Sequence, residues 1–310
     1  MTVVLAGPPA LAPLLARGAL LSPFKRPSPD AEFPHDRLVL PALRVDLARL
    51  AEYERVCGFA TGEDALPPTY PHVLGFPLAM RLMSRRNFPL PLLGLVHTSI
   101  DITRRQGLAA AGEYELTVYV SGLEPHRRGT EAAVITELRA AGEVVWESRS
   151  TYLARHRPPG NGEHGEGGEH GESGESGEVG ESGEVGEAPR SAGADGAREP
   201  LPVVAEWRLG ADVGRRYGAV SGDRNPIHLH PLTARLFGFP RAIAHGMWTV
   251  ARCLAAHGAP EQAYLRAEFR TPVLLPGTVT YAARGDRFEL RGSEGHRLHV
   301  TGLVRGLPHD

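Results

Sequence analysis

A run of nine successive Gly-Glu-x triplets, which starts at Gly162 and has its last glutamate at Glu187, divides the 310-residue chain into two halves. Gly at every third position is also the period of collagen, but a triple helix needs imino acids between the glycines, and this run has no Pro. The run has little apolar surface to bury and a high density of negative charge, so we expect it to stay disordered. The sequence therefore predicts an N-terminal domain over residues 1–156, a flexible linker over 157–199 and a C-terminal domain over 200–310.

The charge of the chain is distributed unevenly along its length. There are 34 Lys and Arg against 36 Asp and Glu, a net charge of −2. Nine of the acids lie in the Gly-Glu-x run, so the rest of the chain has 27 acidic and 34 basic residues, a balance of +7. This mildly basic remainder suits phosphorylated or acidic partners, although a solvated mixed-charge surface is the simpler explanation. No nucleic-acid partner is predicted.

The two cysteines, Cys57 and Cys253, are far apart and form no CxxC pair. This spacing argues against a disulfide framework and against a cysteine zinc site, and it favours a reducing cytoplasm. The first residues are apolar, but three prolines interrupt them and no basic residue precedes Arg17, so we predict no cleaved signal peptide. No uninterrupted apolar stretch reaches about 18 residues, so no membrane span is predicted.

The two halves share a local pattern. In the second half, YGAVSG (residues 217–222) precedes a helical pattern, HGMWTVARCLAAH (245–257), with apolar residues on one face. In the first half, YERVCG (53–58) precedes GFPLAMRLM (75–83), and in both helical stretches an Arg follows a Gly by six residues. The pattern indicates that one structural unit occurs twice.

Strand patterns follow each predicted helix. EYELTVYVSG (113–122) alternates apolar and polar residues, and VVWESRSTYLA (144–154) follows the turn at Ala141-Gly142. The second half offers three candidate strands: YLRAEFRTPVLLPGTVTYAAR (264–284), RFELRG (287–292) and HRLHVTGLVRG (296–306). Each half is thus predicted to be a turn-rich lead-in, one long buried helix and an antiparallel meander, an α+β arrangement.

The stretch YGAVSGDRNPIH, residues 217–228, carries Asp223, Asn225, Pro226 and His228 within six residues. Asp-x-Asn-Pro alone is typical of an Asx turn at the start of a helix. Asp223 and His228 are five residues apart, and Pro226 stiffens the turn between them, so both side chains can face one water molecule. The alternatives are a capped turn and a prearranged acid/base pair, and the full spacing favours the pair. The first half has Phe in place of this Asp and is predicted to lack the chemistry.

Residue type by residue type, this stretch resembles the pattern of the MaoC-like, R-specific enoyl-CoA hydratase family (hydratase 2). That pattern is Tyr followed by Ser-Gly-Asp-x-Asn-Pro-apolar-His, and FGFPRAIAHGM (237–247) resembles the segment that opens the family's central helix. The resemblance covers roughly residues 205–306. The first half is similar, much more weakly, to the substrate-side domain of two-domain members, and the Gly-Glu-x run is not part of the family pattern.

The resemblance implies a double hot dog, in which each half is a long central helix wrapped by a curved antiparallel β-sheet. It implies reversible syn addition of water across a trans-2-enoyl thioester, giving an (R)-3-hydroxyacyl thioester, as in fatty acid metabolism. The family's catalytic pair carries over onto Asp223 and His228, and its oxyanion-binding amide onto the neighbourhood of Gly246. The first half would then be the acyl-binding half.

Neighbouring residues suit supporting roles in such a site. Ser221 and Asn225 are short polar residues able to orient the carboxylate of Asp223. Gly246 starts the predicted helix, where free N–H groups and the positive end of the helix dipole meet. His228-x-His230 could bind a metal, but no third ligand cluster lies nearby in sequence, so we predict none. His245 is interpreted as a helix-start cap or packing residue.

The partners follow from the implied reaction. Coenzyme A or phosphopantetheine enters as part of the substrate, so no separate cofactor is expected, and the carrier is either coenzyme A or an acyl carrier protein. Two hot dogs in one chain can form the usual paired unit internally, so a monomer or a homodimer of that unit is expected. A hot-dog thioesterase and a catalytically silent acyl-thioester-binding protein stay open as alternatives.

Overall fold

Residues 1–156, 200–295 and 297–308 are described by the computed structural model, and they form eleven strands and seven α-helices. None of these helices is both long and apolar enough to cross a membrane. The predicted linker, residues 157–199, lies outside the described residues, so its disorder and the domain boundaries beside it stay predictions. Described residues on both sides of the linker pack into one compact unit.

The elements follow the same order in both halves, with a strand and a helix leading into a central helix and a set of strands. In the first half they are β1 (Thr2–Val4), α1 (Leu11–Leu21), β2 (Arg37–Arg44), α2 (Leu47–Cys57), α3 (Tyr70–Met83), β3 (Val96–Arg104), β4 (Glu113–His126), β5 (Gly129–Ala140) and β6 (Glu143–Arg155). In the second half they are β7 (Val203–Leu209), α4 (Val213–Ser221), α5 (Pro226–Leu229), α6 (Pro231–Leu236), α7 (Gly246–His257), β8 (Ala263–Phe269), β9 (Gly277–Arg284), β10 (Arg287–Gly292) and β11 (Leu298–Gly306).

All eleven strands belong to one sheet in the order β1-β2-β4-β5-β6-β3-β8-β11-β10-β9-β7. Only the edge strand β1, which pairs with β2, is parallel to its neighbour. The halves meet where β3 pairs with β8, from Ser99 opposite Glu268 to Arg104 opposite Ala263. From this pair outward, the strands follow the order β3-β6-β5-β4-β2 in the first half and β8-β11-β10-β9-β7 in the second. These orders are equivalent, so two hot-dog units pair within one chain.

Helix α7 is buried along the face that its sequence predicts. Met247, Val250, Ala251 and Leu254, which recur at helical spacing, are all buried in the core. The helix starts at Gly246, as predicted, and it ends at His257, before a glycine in the left-handed region. Burial of this apolar stripe, rather than helix propensity, is what stabilises such a helix in a globular protein.

Helix α3 is the matching central helix of the first half, but it is longer than its sequence pattern indicates. It begins at Tyr70, five residues before the predicted stretch, so His72 lies in its first turn. Gly75 packs closely on the sheet, because a Cβ there would lie 2.6 Å from Cγ2 of Thr136. Each half is thus a buried helix wrapped by an antiparallel sheet, which confirms the double hot dog.

The lead-in segments are helical, where the sequence indicated turns. Helices α2 and α4 end at equivalent positions, and the next residues, Gly58 (φ 84°) and Gly222 (φ 82°), are both left-handed. Their tyrosines, Tyr53 and Tyr217, approach each other with ring centroids 6.1 Å apart. The repeated Tyr-x3-x-Gly pattern therefore marks two equivalent helix ends that pack together. The pattern alone does not predict these helices, because it covers only the last residues of each.

One predicted strand is in fact two. The stretch at residues 264–284 contains β8 and β9, which are not neighbours in the sheet. β8 pairs with β3 and β11, while β9 pairs with β10 and β7. The sequence does not show where β8 ends, because the connecting residues 273–275 are also apolar. Val273 and Leu275 are buried although they lie outside both strands.

Candidate active site

Residues 222–225 (GDRN) form a short connection between α4 and α5, and PIH (226–228) begins α5. The Ser221 hydroxyl donates to the Tyr217 carbonyl at 2.8 Å and accepts from the Asp223 N–H at 3.2 Å. The Asn225 N–H donates to Oδ1 of Asp223 at 3.2 Å, and the Asn225 side chain accepts from the Ile227 N–H at 3.4 Å. Ser221 and Asn225 thus hold the backbone around Asp223, and the bond to its carboxylate comes from the Asn225 main chain rather than from a side chain.

His228 lies in α5 and is buried, with 7% of its surface exposed. Its Nδ1 donates to the Ile243 carbonyl oxygen at 2.9 Å. Because a carbonyl only accepts, Nδ1 carries the proton of the neutral ring and Nε2 carries the lone pair. Burial lowers the pKa of His228, although the Asp223 carboxylate and the Ile243 bond act in the opposite direction. The ring is therefore a neutral base with its acceptor nitrogen away from Ile243.

His245 joins the Asp223 turn to the start of α7. Its Nε2 donates to the Asp223 carbonyl oxygen at 2.9 Å, and it lies 3.9 Å from Oδ2 of the same residue. Its ring stacks on His228, with ring centroids 3.7 Å apart. Burial, followed by the neighbouring His228, holds the pKa of His245 well below its usual range. His245 makes no side-chain cap bond to α7, so its contacts are with the two predicted catalytic residues instead.

Asp223, His228 and His245 each offer a ligand atom within 4.8 Å of the others, so the three side chains are a possible metal-binding group. A carboxylate and two imidazoles are a donor set that zinc accepts. Nδ1 of His228 and Nε2 of His245 already donate to carbonyl oxygens, which leaves one nitrogen on each ring. His230 lies apart from this group, since its Nδ1 accepts from the Leu232 N–H and caps α6. The expectation of no metal stays a prediction.

Gly246 is the first residue of α7 and lies beneath an aromatic ring. A Cβ at Gly246 would lie 2.8 Å from Cε1 of Phe269, so this position has no room for a side chain while the ring stays in place. The first N–H groups of a helix have no partner within the helix, and they carry partial positive charge. Because His245 precedes Gly246 and bonds to Asp223, the start of α7 and the predicted acid/base pair are held together.

The first half adds a polar wall that sequence reasoning missed: His72 of α3, His97 of β3 and Tyr152 of β6. The ring of His97 lies 5.8 Å from His72, 4.5 Å from Tyr152 and 4.8 Å from Phe269, the ring over Gly246. Nδ1 of His72 and Nε2 of His97 are buried and bond to no described residue. These residues belong to no motif, so only the unusual presence of two buried histidines could have indicated them.

The Asp223 carboxylate acts on this wall electrostatically. Burial lowers the pKa of His72 to about 4, while the negative charge of Asp223 raises it in part. Burial also raises the pKa of Tyr152, and the Asp223 charge adds to that rise. His72 and Tyr152 are therefore neutral groups within electrostatic range of the predicted catalytic carboxylate, although the first half itself carries no acid/base motif.

Comparison with known proteins places this chain in a family. Residues 197–290 match the family model for the MaoC like domain. The 3-hydroxyacyl-thioester dehydratase X of Mycobacterium tuberculosis is 33% identical over 282 residues, which cover 89% of this chain and 91% of that protein. Dehydratase Y of the same organism is 26% identical over 227 residues, covering 67% of this chain and 70% of that protein.

Solved structures agree with the sequence comparison. The crystal structure of HtdX from Mycobacterium tuberculosis superimposes with a TM-score of 0.69 at 31% identity, covering 87% of this chain and 100% of that one. A MaoC-like dehydratase from Phytophthora capsici shares the fold, with a TM-score of 0.64 at 17% identity over 90% of this chain and 98% of that one. The protein described here belongs to the MaoC-like dehydratase family.

Proposed function

We propose that this protein catalyses the reversible removal of water from an (R)-3-hydroxyacyl thioester to give a trans-2-enoyl thioester, and that Asp223 and His228 carry the reaction. One observation supports the proposal most directly. The neutral imidazole of His228, with its lone pair on Nε2, lies beside the Asp223 carboxylate at the amide end of α7. The names of the curated relatives, both 3-hydroxyacyl-thioester dehydratases, agree with this chemistry.

In the dehydration direction, His228 acts first. Its Nε2 removes the proton on C2 of the substrate, and the electron pair of that C–H bond moves towards the thioester carbonyl. The enolate charge on the thioester oxygen is accepted by the N–H groups around Gly246. Positioned acid/base groups contribute about 10²- to 10⁴-fold in rate, and one oxyanion donor contributes about 2.7–4 kcal/mol.

The second step returns the same proton. The protonated His228 donates it from Nε2 to the 3-hydroxyl group, the C3–O bond breaks, and water leaves as the C2–C3 double bond forms. The Asp223 carboxylate accepts a hydrogen bond from the 3-hydroxyl group, which keeps its own proton and is oriented by this bond. The carboxylate charge also stabilises the imidazolium of His228. Because one ring both takes and returns the proton, the elimination is syn, and hydration runs through the same steps in reverse.

The first half serves as the acyl-binding half in this proposal. Phe269 separates the polar wall of His97 and Tyr152 from Gly246. An acyl chain that leaves a thioester bound at Gly246 would pass Phe269 and then meet this wall. The buried nitrogens of His72 and His97 that have no described partner could bond to an oxygen of the substrate or to an ordered water. A purely hydrocarbon chain would leave them without a partner. Coenzyme A or phosphopantetheine is present only as the carrier portion of the substrate.

The test is an assay of the purified protein with crotonyl-CoA, with product stereochemistry determined. We expect loss of the enoyl absorbance and formation of (R)-3-hydroxybutyryl-CoA. Release of free thiol without loss of that absorbance would instead indicate a thioesterase. Tight binding without turnover, over a series of chain lengths and on both coenzyme A and acyl carrier protein, would indicate a silent binding protein.

A further inference from the structure

A basic cavity of about 420 Å³ lies where α1 meets the end of α3. It is separate from the Asp223 turn. Two of its lining residues belong to α1, one belongs to α3, and three belong to the loop that follows α3. These residues are Leu14, Arg17, Arg81, Arg85, Arg86 and Asn87.

Most guanidinium groups of this basic cavity have no carboxylate partner among the described residues. Arg85 pairs with the carboxylate of Asp36. No ion pair or side-chain hydrogen bond joins Arg17, Arg81 or Arg86 to any residue in the described ranges. Three unpaired guanidiniums around one concavity form a site with net positive charge, where an anion would be attracted.

Lys25 holds the loop beyond α3 in place behind this cavity. Its Nζ donates to the carbonyl oxygens of Arg85 at 2.6 Å, Arg86 at 2.9 Å and Phe88 at 2.5 Å. Burial lowers the pKa of Lys25, and the like charges of Arg17 and Arg86 lower it further. The loop therefore presents its arginines from a fixed backbone in a region of concentrated positive charge.

Helix α1 connects the basic cavity to the active site. A Cβ on Gly222, the residue before Asp223, would lie 2.5 Å from Cδ1 of Leu11, the first residue of α1. At about 1.5 Å of rise per residue, Arg17 lies roughly 9 Å farther along that helix. The pantetheine arm of coenzyme A has about thirteen bonds between its sulfur atom and the first phosphorus atom. With bond lengths like those of a peptide chain, the extended arm is roughly 15 Å long. An arm of this length can join a thioester at the active site to a phosphate in the cavity.

We propose that the basic cavity binds the phosphate groups of the nucleotide end of coenzyme A while the acyl thioester occupies the active site. This inference rests on the proposed function. Guanidinium groups bind phosphate through paired, charge-assisted hydrogen bonds, and the cavity volume lies in the range of small-molecule sites. Coenzyme A carries three phosphate groups next to a nucleoside. A carrier protein presents one phosphate on its prosthetic group, so several guanidiniums converging on one concavity favour coenzyme A.

The test compares two variants with the same change of charge. Arg17→Ala/Arg86→Ala removes two guanidiniums of the cavity, and Arg127→Ala/Arg128→Ala removes two from the exposed turn between β4 and β5. Initial rates are measured with crotonyl-CoA, with its 3′-dephospho form, with crotonyl-pantetheine and with a crotonyl-carrier protein. In the cavity variant, Arg17→Ala/Arg86→Ala, we expect KM for crotonyl-CoA to rise about tenfold or more while kcat is nearly unchanged. A rise of this size corresponds to the loss of at least one charge-assisted hydrogen bond.

The other substrates decide the identity of the ligand. KM for crotonyl-pantetheine, which has no phosphate, should be the same in the wild type and the cavity variant, and the control variant should match the wild type throughout. An unchanged KM for crotonyl-CoA in the cavity variant, or an equal rise with crotonyl-pantetheine, would overturn the proposal. A rise confined to the crotonyl-carrier protein would overturn the choice of coenzyme A.

Calorimetric titration separates this proposal from the proposed function, because it needs no turnover. Free coenzyme A should bind to the wild type and to the Arg127→Ala/Arg128→Ala control, and binding to the cavity variant should be at least tenfold weaker. Pantetheine should not distinguish the three proteins. If coenzyme A binds equally to all three, the cavity assignment fails whether or not the protein is a dehydratase.

Discussion

Nδ1 of His228 donates a hydrogen bond to the carbonyl oxygen of Ile243, over 2.9 Å, and this bond determines which nitrogen of the neutral ring keeps its lone pair. Ile243 lies 15 residues beyond His228, just before α7. The neutral ring must protonate Nδ1 to make this bond, so Nε2 keeps its lone pair. The proposed proton transfers follow from this tautomer, and the His228 ring that carries it stacks on His245.

Removing either member of the acid/base pair should abolish most turnover. We expect Asp223→Asn and His228→Ala each to lower the rate of crotonyl-CoA hydration at least a hundredfold, because a positioned acid/base group contributes about 10²- to 10⁴-fold. Both variants should still fold, as circular dichroism would show, although His228→Ala removes a buried, hydrogen-bonded ring and should lower the thermal unfolding midpoint. Asp212→Asn and His35→Ala are matched controls at exposed positions and should keep wild-type rates. Wild-type rates in the Asp223 or His228 variant would contradict the assigned roles.

The acid limb of the pH profile should report the protonation of His228. Burial lowers the pKa of this residue, so the ring stays neutral, and active as a base, below its ordinary pKa of about 6.5. We expect kcat/KM to be constant through pH 7 and to fall only as the pH drops through this lowered pKa. Rates over a range of acidic pH, with the enzyme shown to be folded at each, measure this. A fall centred above pH 6.5 or so would show that another group is responsible.

Adding a methyl group at Gly246 should disturb the ring above it. Gly246→Ala would place a Cβ 2.8 Å from Phe269, and overpacking of this kind costs about 1–3 kcal/mol in the free energy of unfolding. Gly122→Ala is the matched control, since nothing lies within 4 Å of a Cβ at that position. In a Phe269→Ala background the Gly246 substitution should cost much less, which a double-mutant cycle of unfolding free energies measures. Additive effects would show that the ring does not limit this position.

His72 should make the protein less stable in acid. Its pKa is about 4 in the folded protein and about 6.5 in the unfolded chain, so the unfolded state binds the proton more readily between these values. The free energy of unfolding therefore falls as the pH drops from about 6.5 to 4, by at most about 3 kcal/mol for this residue. His72→Phe should flatten this part of the stability profile, measured by denaturant unfolding. An unchanged slope would show that His72 is not neutral in the folded protein.

Chelation should leave the reaction unaffected. The proposed proton transfers use only Asp223, His228 and the amides of α7, although Asp223, His228 and His245 have the donor set of a metal site. We expect full activity after treatment with EDTA and gel filtration. Added Zn²⁺ should inhibit, because it would occupy Nε2 of His228. Loss of activity with EDTA, restored by a divalent metal, would overturn the prediction of a metal-free site.

Several features of this protein could be predicted from short stretches of sequence. The apolar stripe of α7 predicted a buried helix that starts at Gly246, and the Tyr-x3-x-Gly pattern indicated two equivalent units. The spacing of Asp223 and His228 indicated a joint role, and their ligand atoms lie within 4.8 Å of each other. These predictions depend on residues that are close in the chain, where backbone geometry alone limits what the side chains can reach.

The remaining features depend on contacts between segments that are distant in the chain. The bonds from His228 to Ile243 and from His245 to Asp223 join residues 15 and 22 positions apart in the second half. His97 of the first half reaches Phe269 of the second because β3 pairs with β8. The sequence by itself determined that each half has a central helix and that Asp223 and His228 share one short turn. The tertiary structure decided which nitrogen of His228 keeps the lone pair and which residues of the first half lie within electrostatic range of Asp223. Periodicity reports which face of an element is buried but not which other element covers that face.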